Sequence, residues 1–308
     1  MSKTDNGTDE CSLCRKATKL QVSHIIPAFV GKWLKDSSVT RRIRSAENPN
    51  VSRQDIQKYP LLCADCEQLL GREDAYFAEH FFVPHHYNGV SSFEYSYQLN
   101  RYCTGQSFRV LSHLEKEYGD ISGLPWGLSK LANKALSVLS VQLLSKGEYQ
   151  SEFSHHLVFF GLIEEIGGDI TEVPRRFNRY CTRAIDFDLL RGGNRLVVYS
   201  KMCRIALFTF LSPRNPRNMI GTRVYSKGRI TSSQDVNEGY IGEFLLDRAH
   251  YVDKMEAATS DRQKQRIVKE HRAKHAKFLN SEAHQTNIAD LKLEEMARMN
   301  RSCGEDIE

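Results

Sequence analysis

Two Cys-x-x-Cys pairs constrain this chain more than any other feature: Cys11-Ser12-Leu13-Cys14 near the start and Cys63-Ala64-Asp65-Cys66 further on. A two-residue spacing lets both sulfurs of a pair face one ion, and two such pairs supply the four thiolates of a tetrahedral zinc site. A closed site of this kind pins two distant segments together, so the chain between them must return on itself. The plain alternative is two unrelated pairs of free thiols. Cys103, Cys181, Cys203 and Cys303 have no pair spacing and read as buried or incidental thiols.

The rest of the composition fits an intracellular globular protein. At 308 residues, 40% hydrophobic and 26% charged, the chain can bury a real core and is too apolar to remain disordered. No apolar run approaches the ~20 residues of a membrane span. The polar opening, Met1 to Gly7, lacks the apolar stretch of a signal peptide, so the expected compartment is the cytoplasm and the cysteines are expected as metal ligands and thiols, not disulfides. A net charge of +5 admits a polyanionic partner without requiring one.

Residues 1–9 read as a disordered leader, 10–84 as a zinc module, 85–300 as a mixed α and β body ending in basic helices, and 301–308 as a frayed tail. Within the module, Lys19 to Ile26 is β-branched and extended and carries His24; Pro27 then forces a bend. A short helix is expected from Phe29 to Leu34. A stronger one runs from Cys66 to Phe82, where Leu69, Leu70, Phe77 and Phe81 recur at helical spacing, with Pro84 as its stop. Between them, Ser37 to Lys58 holds Arg41, Arg42, Arg44 and Arg53 around an Asn48-Pro49-Asn50 turn. It is either a solvated loop or a cationic arm that contacts phosphates. In the body the patterning predicts a strand over 93–99, helices over 107–118 and 124–146, and a β-rich block over about 155–230 with a hairpin at Arg191-Gly192-Gly193-Asn194-Arg195. A Lys- and Arg-rich helix over 262–279 follows a Thr259-Ser260-Asp261 cap. Such a run is ordinarily a solvated helix face, and the alternative is a second phosphate-contacting element.

Taken in order, Cys11-x-x-Cys14, Ser23-His24-Ile25-Ile26-Pro27 and Leu62-Cys63-x-x-Cys66-Glu67 resemble the HNH endonuclease family, in its subgroup with a four-cysteine structural zinc. The resemblance covers about residues 10–82. It implies an α+β protein opening with a treble-clef, ββα-metal module. It also implies a structural Zn²⁺ on Cys11, Cys14, Cys63 and Cys66, and a separate catalytic divalent ion. By position His24 is then the general base and Glu67 the ligand of that catalytic Mg²⁺ or Mn²⁺. The family's preceding acidic or histidine ligand is here Ser23, and its central asparagine would fall to Asn48 or Asn50.

The chemistry is coherent in its own terms. Phosphodiester hydrolysis needs a base that titrates near neutrality and a hard cation beside the phosphate, and imidazole and carboxylate suit those tasks. The function that the resemblance implies is hydrolysis of nucleic acid, with DNA the expected partner. A nuclease joined to an unfamiliar body resembles arrangements found in bacterial defence systems and mobile elements. The body is expected to supply recognition, a protein partner surface or a homodimer contact. The rival is a non-catalytic zinc module that binds nucleic acid or a protein.

Overall fold

The computed structural model describes residues 9–45, 47–119, 121–145, 147–148, 151–165 and 173–305, with side chains as far as residue 298. Of the expected leader only Asp9 is among them, and residues 306–308 of the tail lie outside them.

Strands β1 (Asp9–Glu10) and β2 (Ala17–Thr18) pair antiparallel around the first cysteine pair. β3 (Gln21–His24) follows, and Pro27 caps α1 (Ala28–Asp36), its ring holding φ at −55° where the missing N–H costs no helix bond. The arginine segment folds as a two-strand ribbon of β4 (Ile43–Arg44) and β5 (Ser52–Arg53). β6 (Lys58–Leu62) then returns antiparallel along β3, setting Lys58 opposite His24 and Leu62 opposite Gln21. It passes through Cys63 directly into α2 (Ala64–Phe77).

Pro84 does not end this helical stretch as the sequence predicts. A π-helical turn, Ala78–Phe82, intervenes, and α3 (Val83–Asn88) takes Pro84 in its first turn before Gly89 closes it at φ +66°. Widening the helix before a proline re-accommodates its ring and its absent N–H, so the axis continues.

The body begins with β7 (Ser92–Tyr95) and the long α4 (Tyr97–Tyr118), followed by α5 (Trp126–Leu144). The strand predicted over 93–99 is therefore cut at Ser96, and the helix predicted from Ser107 starts ten residues earlier. Its apolar period was hidden because α4 is buried on every side from Leu99 to Leu114, polar residues included. Those polar groups find partners: Arg101 pairs with Glu73, Thr104 bonds the Asn100 carbonyl, and Ser107 meets Thr209.

Against α4 lies an antiparallel sheet in the order β13-β8-β11-β10-β9. Its strands are β8 (Ser154–Phe159), β9 (Ile185–Gly192), β10 (Arg195–Met202), β11 (Ile205–Ser212) and, after β12 (Met219–Ile220), β13 (Arg223–Val224). α6 (Phe177–Arg183) precedes β9 and puts a helix inside the block expected to be β-rich. The predicted hairpin is present, with Gly193 at φ +59° between β9 and β10. β14 (Gly228–Thr231) pairs back to β7, and β15 (Asp235–Val236) to β12.

Four helices complete the chain: α7 (Gly239–Ala257), α8 (Asp261–Ala273), α9 (His275–Leu279) and α10 (Glu282–Glu305). Ser260 caps α8 as its type predicts, accepting a bond from the Gln263 N–H. The helix expected over 262–279 breaks at Lys274, and α10 continues through the first residues of the expected tail. α10 is held by Asp290, whose carboxylate accepts the Asn178 and Arg179 N–H groups at the start of α6.

The whole is a mixed α+β architecture in which the cysteine-bearing segment shares its core with the body. Cys11, Leu62, Cys66 and Leu70 pack with Phe108, Leu111, Leu139 and Leu143 in one apolar cluster. No helix among the described residues is long and apolar enough to cross a membrane.

Candidate metal centre and the adjoining histidine

The four cysteines of the two pairs converge. Their Sγ atoms all lie within 4.8 Å of one another, and Cys14 Sγ stands 3.7 Å from Cys63 Sγ. A tetrahedral zinc with ~2.3 Å bonds would set its sulfurs ~3.8 Å apart, so the cage has the dimensions of that ion. Local structure explains the convergence. The first pair sits in a turn in which the Arg15 N–H bonds the Cys11 carbonyl, with Arg15 itself at φ 62°. The Ser12 N–H bonds the Leu61 carbonyl and ties that turn to β6, and the Cys63 N–H reaches Cys11 Sγ at 3.3 Å.

The electrostatics of the cage suit a bound cation. Burial opposes ionisation of Cys11, but N–H groups around Cys14, Cys63 and Leu13 outweigh it and lower that thiol to about 7. Burial and the neighbouring sulfurs push Cys66 well above the ordinary thiol value, and Cys14 upward too. Four sulfurs this close cannot all ionise against one another, and a divalent soft ion removes that repulsion. The four cysteines can hold a metal such as zinc.

One strand away lies His24, the expected base. Its Nε2 is 3.0 Å from Asp55 Oδ1, and Asp55 Oδ2 is 2.6 Å from Lys58 Nζ. Asp55 also accepts the Ile56 N–H. Burial raises the Asp55 pKa, yet Lys58 and His24 more than offset it and hold the carboxyl well below the usual range. An ionised carboxylate can only accept, so Nε2 carries a proton, and in the neutral ring that tautomer leaves the lone pair on Nδ1. The three side chains are 20%, 46% and 40% exposed, so solvent reaches the cluster.

Glu67, the expected ligand of a second ion, sits in the first turn of α2 and donates its N–H to the Cys63 carbonyl. Its Oε2 is buried without a hydrogen-bond partner. Arg109 of α4 is close enough to feel its charge, although that guanidinium is bound through both terminal nitrogens to Asp74 at 2.9 and 2.7 Å. His24 and Glu67 share no hydrogen bond among the described residues; the partner of His24 is Asp55.

Asp55 and Lys58 are the site residues that sequence reasoning missed. The signal was an Asp-x-x-Lys at the entry to β6, the strand that leads into the second cysteine pair, but its meaning depends on the β3–β6 register. The two asparagines considered in Asp55's place serve elsewhere. Asn48 donates its backbone N–H to Ser45 Oγ, and the Asn50 amide spans the α7–α8 turn, bonding the Ala258 carbonyl and the Ser260 N–H.

The four arginines separate in the same way. Arg41 is paired with Asp36 at 2.5 Å, and Arg42 with Glu270 of α8 at 2.9 Å. Arg44 is half-buried, and burial, with Arg179 and Arg42 beside it, draws its pKa down. Arg53 is exposed. The adjacent histidines His155 and His156 of β8 are core groups: His155 bonds Thr104 and Thr209, His156 bonds Thr222, and burial lowers both to about 3. His86 is likewise buried, and lowered by burial to about 2.

No protein-family profile matches the chain, and searches of curated proteins and of solved structures return no significant match.

Proposed function

We propose that the chain is a zinc-stabilised, HNH-like endonuclease that hydrolyses phosphodiester bonds, with a treble-clef, ββα-metal layout over β3, β6 and α2. The observation that carries this is the His24–Asp55 pair, solvent-reachable and one strand from a four-sulfur cage. In this scheme the zinc is structural, clamping the turn after β1 to the start of α2. Asp55 fixes the ring and tautomer of His24, so that Nδ1 accepts the proton of the attacking water. As the imidazolium forms, the Asp55 carboxylate stabilises its charge. Lys58, already facing Asp55, brings a cation to the rim of the site.

The uncommitted Oε2 of Glu67 suits a hard divalent ion such as Mg²⁺ or Mn²⁺, which would supply charge neutralisation at the phosphate and the leaving oxygen. Arg109 beside it already supplies positive charge, so the ion requirement is a point for direct test. The burial of Glu67 Oε2, in contrast with the solvent-reachable His24, favours one alternative, a zinc module that binds nucleic acid or a protein without cutting.

One assay separates the two. Purified protein is incubated with plasmid DNA and with RNA in Mg²⁺, Mn²⁺ or EDTA, beside His24→Ala. A nuclease cuts in a divalent ion and His24→Ala does not. A binding module retards the nucleic acid and never cuts it.

A further inference from the structure

One exposed helix, α8, carries a cluster of lysines and arginines. α8 holds five lysines and arginines against Asp261 and Glu270, a net +3, and Lys274 follows directly after it. The helix that carries this charge, α8, buries none of its residues, unlike the long helices α4, α5 and α7. Its half-buried side is Gln263, Ile267, Glu270 and His271; Arg262, Lys264, Val268, Lys269 and Arg272 are exposed. Glu270 is turned inward, where Arg42 and Arg266 neutralise it. Asp261 at the helix start faces Lys264 at 3.6 Å. Arg262, Lys269 and Arg272 have no carboxylate partner among the described residues, and they span about 15 Å of helix.

The basic segment of the zinc module supplies the second half of the observation. It is not a free arm. Arg41 and Arg42 are committed to carboxylates, and Arg42 and Asn50 fasten the segment to α8 and its cap. Arg53 is the exposed arginine of this segment without a carboxylate partner among the described residues; α8 adds three such cations, and the segment fixes that helix relative to the His24 strand.

We infer that the outward face of α8 is the docking surface for the phosphate backbone of double-stranded DNA, and that the Arg42–Glu270 and Asn50 contacts hold it in place beside the zinc module. Charge complementarity argues for a polyanion of high, regular line charge, which duplex DNA has at one charge per ~1.7 Å. The exposed face bears no aromatic side chain, so it lacks the stacking platforms that single strands use. This inference rests on the nucleic-acid half of the proposed function and is independent of cleavage.

The test is equilibrium binding of a labelled DNA duplex in EDTA across a salt series. It compares the wild-type chain, a face variant (Arg262→Gln, Lys269→Gln, Arg272→Gln) and a control variant with equal charge loss elsewhere (Lys130→Gln, Lys227→Gln, Lys292→Gln). Because α8 buries nothing, the face variant should keep its circular dichroism and zinc content. Its log–log salt slope should fall by about three, at about 0.9 per lost phosphate contact, with at least about tenfold weaker binding near 0.1 M salt. The control should bind as wild type does. An unchanged slope in the face variant overturns the inference, as does an equal loss in the control, which would make net charge the cause. Tighter binding of single strands, duplex RNA or polyglutamate overturns the choice of duplex DNA. Cleavage is read separately with Mg²⁺ and His24→Ala, so a protein that binds through α8 but never cuts removes the nuclease and leaves this surface standing.

Discussion

His24 Nε2 and Asp55 Oδ1 stand 3.0 Å apart across 31 residues of sequence, joined because β6 returns along β3. The pair gives a surface histidine a fixed ring and a defined tautomer, the two properties that distinguish a positioned base from an ordinary exposed imidazole.

If His24 is the base, His24→Ala lowers turnover about 10²- to 10⁴-fold without loss of zinc or fold. Asp55→Asn, which can no longer demand a donor from Nε2, should lower turnover while leaving nucleic-acid affinity in place. Asp55 also has a stability signature. Its pKa is depressed in the folded protein, so its contribution is present above the unfolded value of ~3.9 and is lost as pH falls below it. Unfolding midpoints of wild type and Asp55→Asn should therefore converge in acid and separate above about pH 4. Equal turnover in all three proteins would assign any activity to another residue.

Each chain should carry about one tightly held zinc, measured by elemental analysis. Because Cys11 and Cys66 lie in the same apolar cluster as Leu139 and Leu143, losing the ion should weaken the body as well as the first eighty residues. Cys63→Ser or a strong chelator should lower the melting temperature of the whole chain and expose the thiols to titration. A zinc-free protein with an unchanged melt would return the cysteines to free thiols.

Arg109 is 2% exposed and bidentate to Asp74. Burial alone would lower its pKa, and Asp74 reverses that, so the cost of burying the guanidinium is offset chiefly by this partner. Asp74→Ala should destabilise the chain by about 3–5 kcal/mol in denaturant unfolding, the cost of an uncompensated buried charge. Replacing the pair together, Asp74→Leu with Arg109→Met, should recover much of that loss.

Lys201 is fully buried, its ammonium bonded to the Cys181 and Cys203 carbonyls and lying 3.6 Å from the centre of the Phe160 ring. Burial lowers it to about 8, below the unfolded ~10.4. Between those values the unfolded chain binds more protons, so stability rises with pH. The cost of burying the charge is complete below about pH 8 and disappears above about 10.4. Wild type should gain up to ~3 kcal/mol relative to Lys201→Met across that window, measured by urea unfolding. Parallel pH profiles would show that Lys201 does not titrate there.

Local chemistry is written along the chain and was legible in the sequence alone. The Cys-x-x-Cys spacing announced the four-sulfur cage, since two residues between sulfurs is a covalent constraint that needs no tertiary context. Ser260 marked a helix start and Pro27 the end of the extended His24 segment for the same reason: each acts on its own neighbours. Gly193 marked the hairpin by the φ its turn requires. What the tertiary structure alone decided is whatever depends on register or on two segments meeting. Asp55 became the partner of His24 through the β3–β6 pairing, and Asn50 was drawn off to the α7–α8 turn. α4 reached back to Tyr97 because its polar side chains were satisfied by other elements, which removed the apolar period on which sequence recognition of a helix depends. Arg42 met Glu270 across the fold, so a segment that the sequence left as either a solvated loop or a cationic arm is anchored to α8. Spacing within a few residues is fixed by the covalent chain, whereas contacts between distant segments are set by which packing buries the most apolar surface while still pairing the polar groups it encloses.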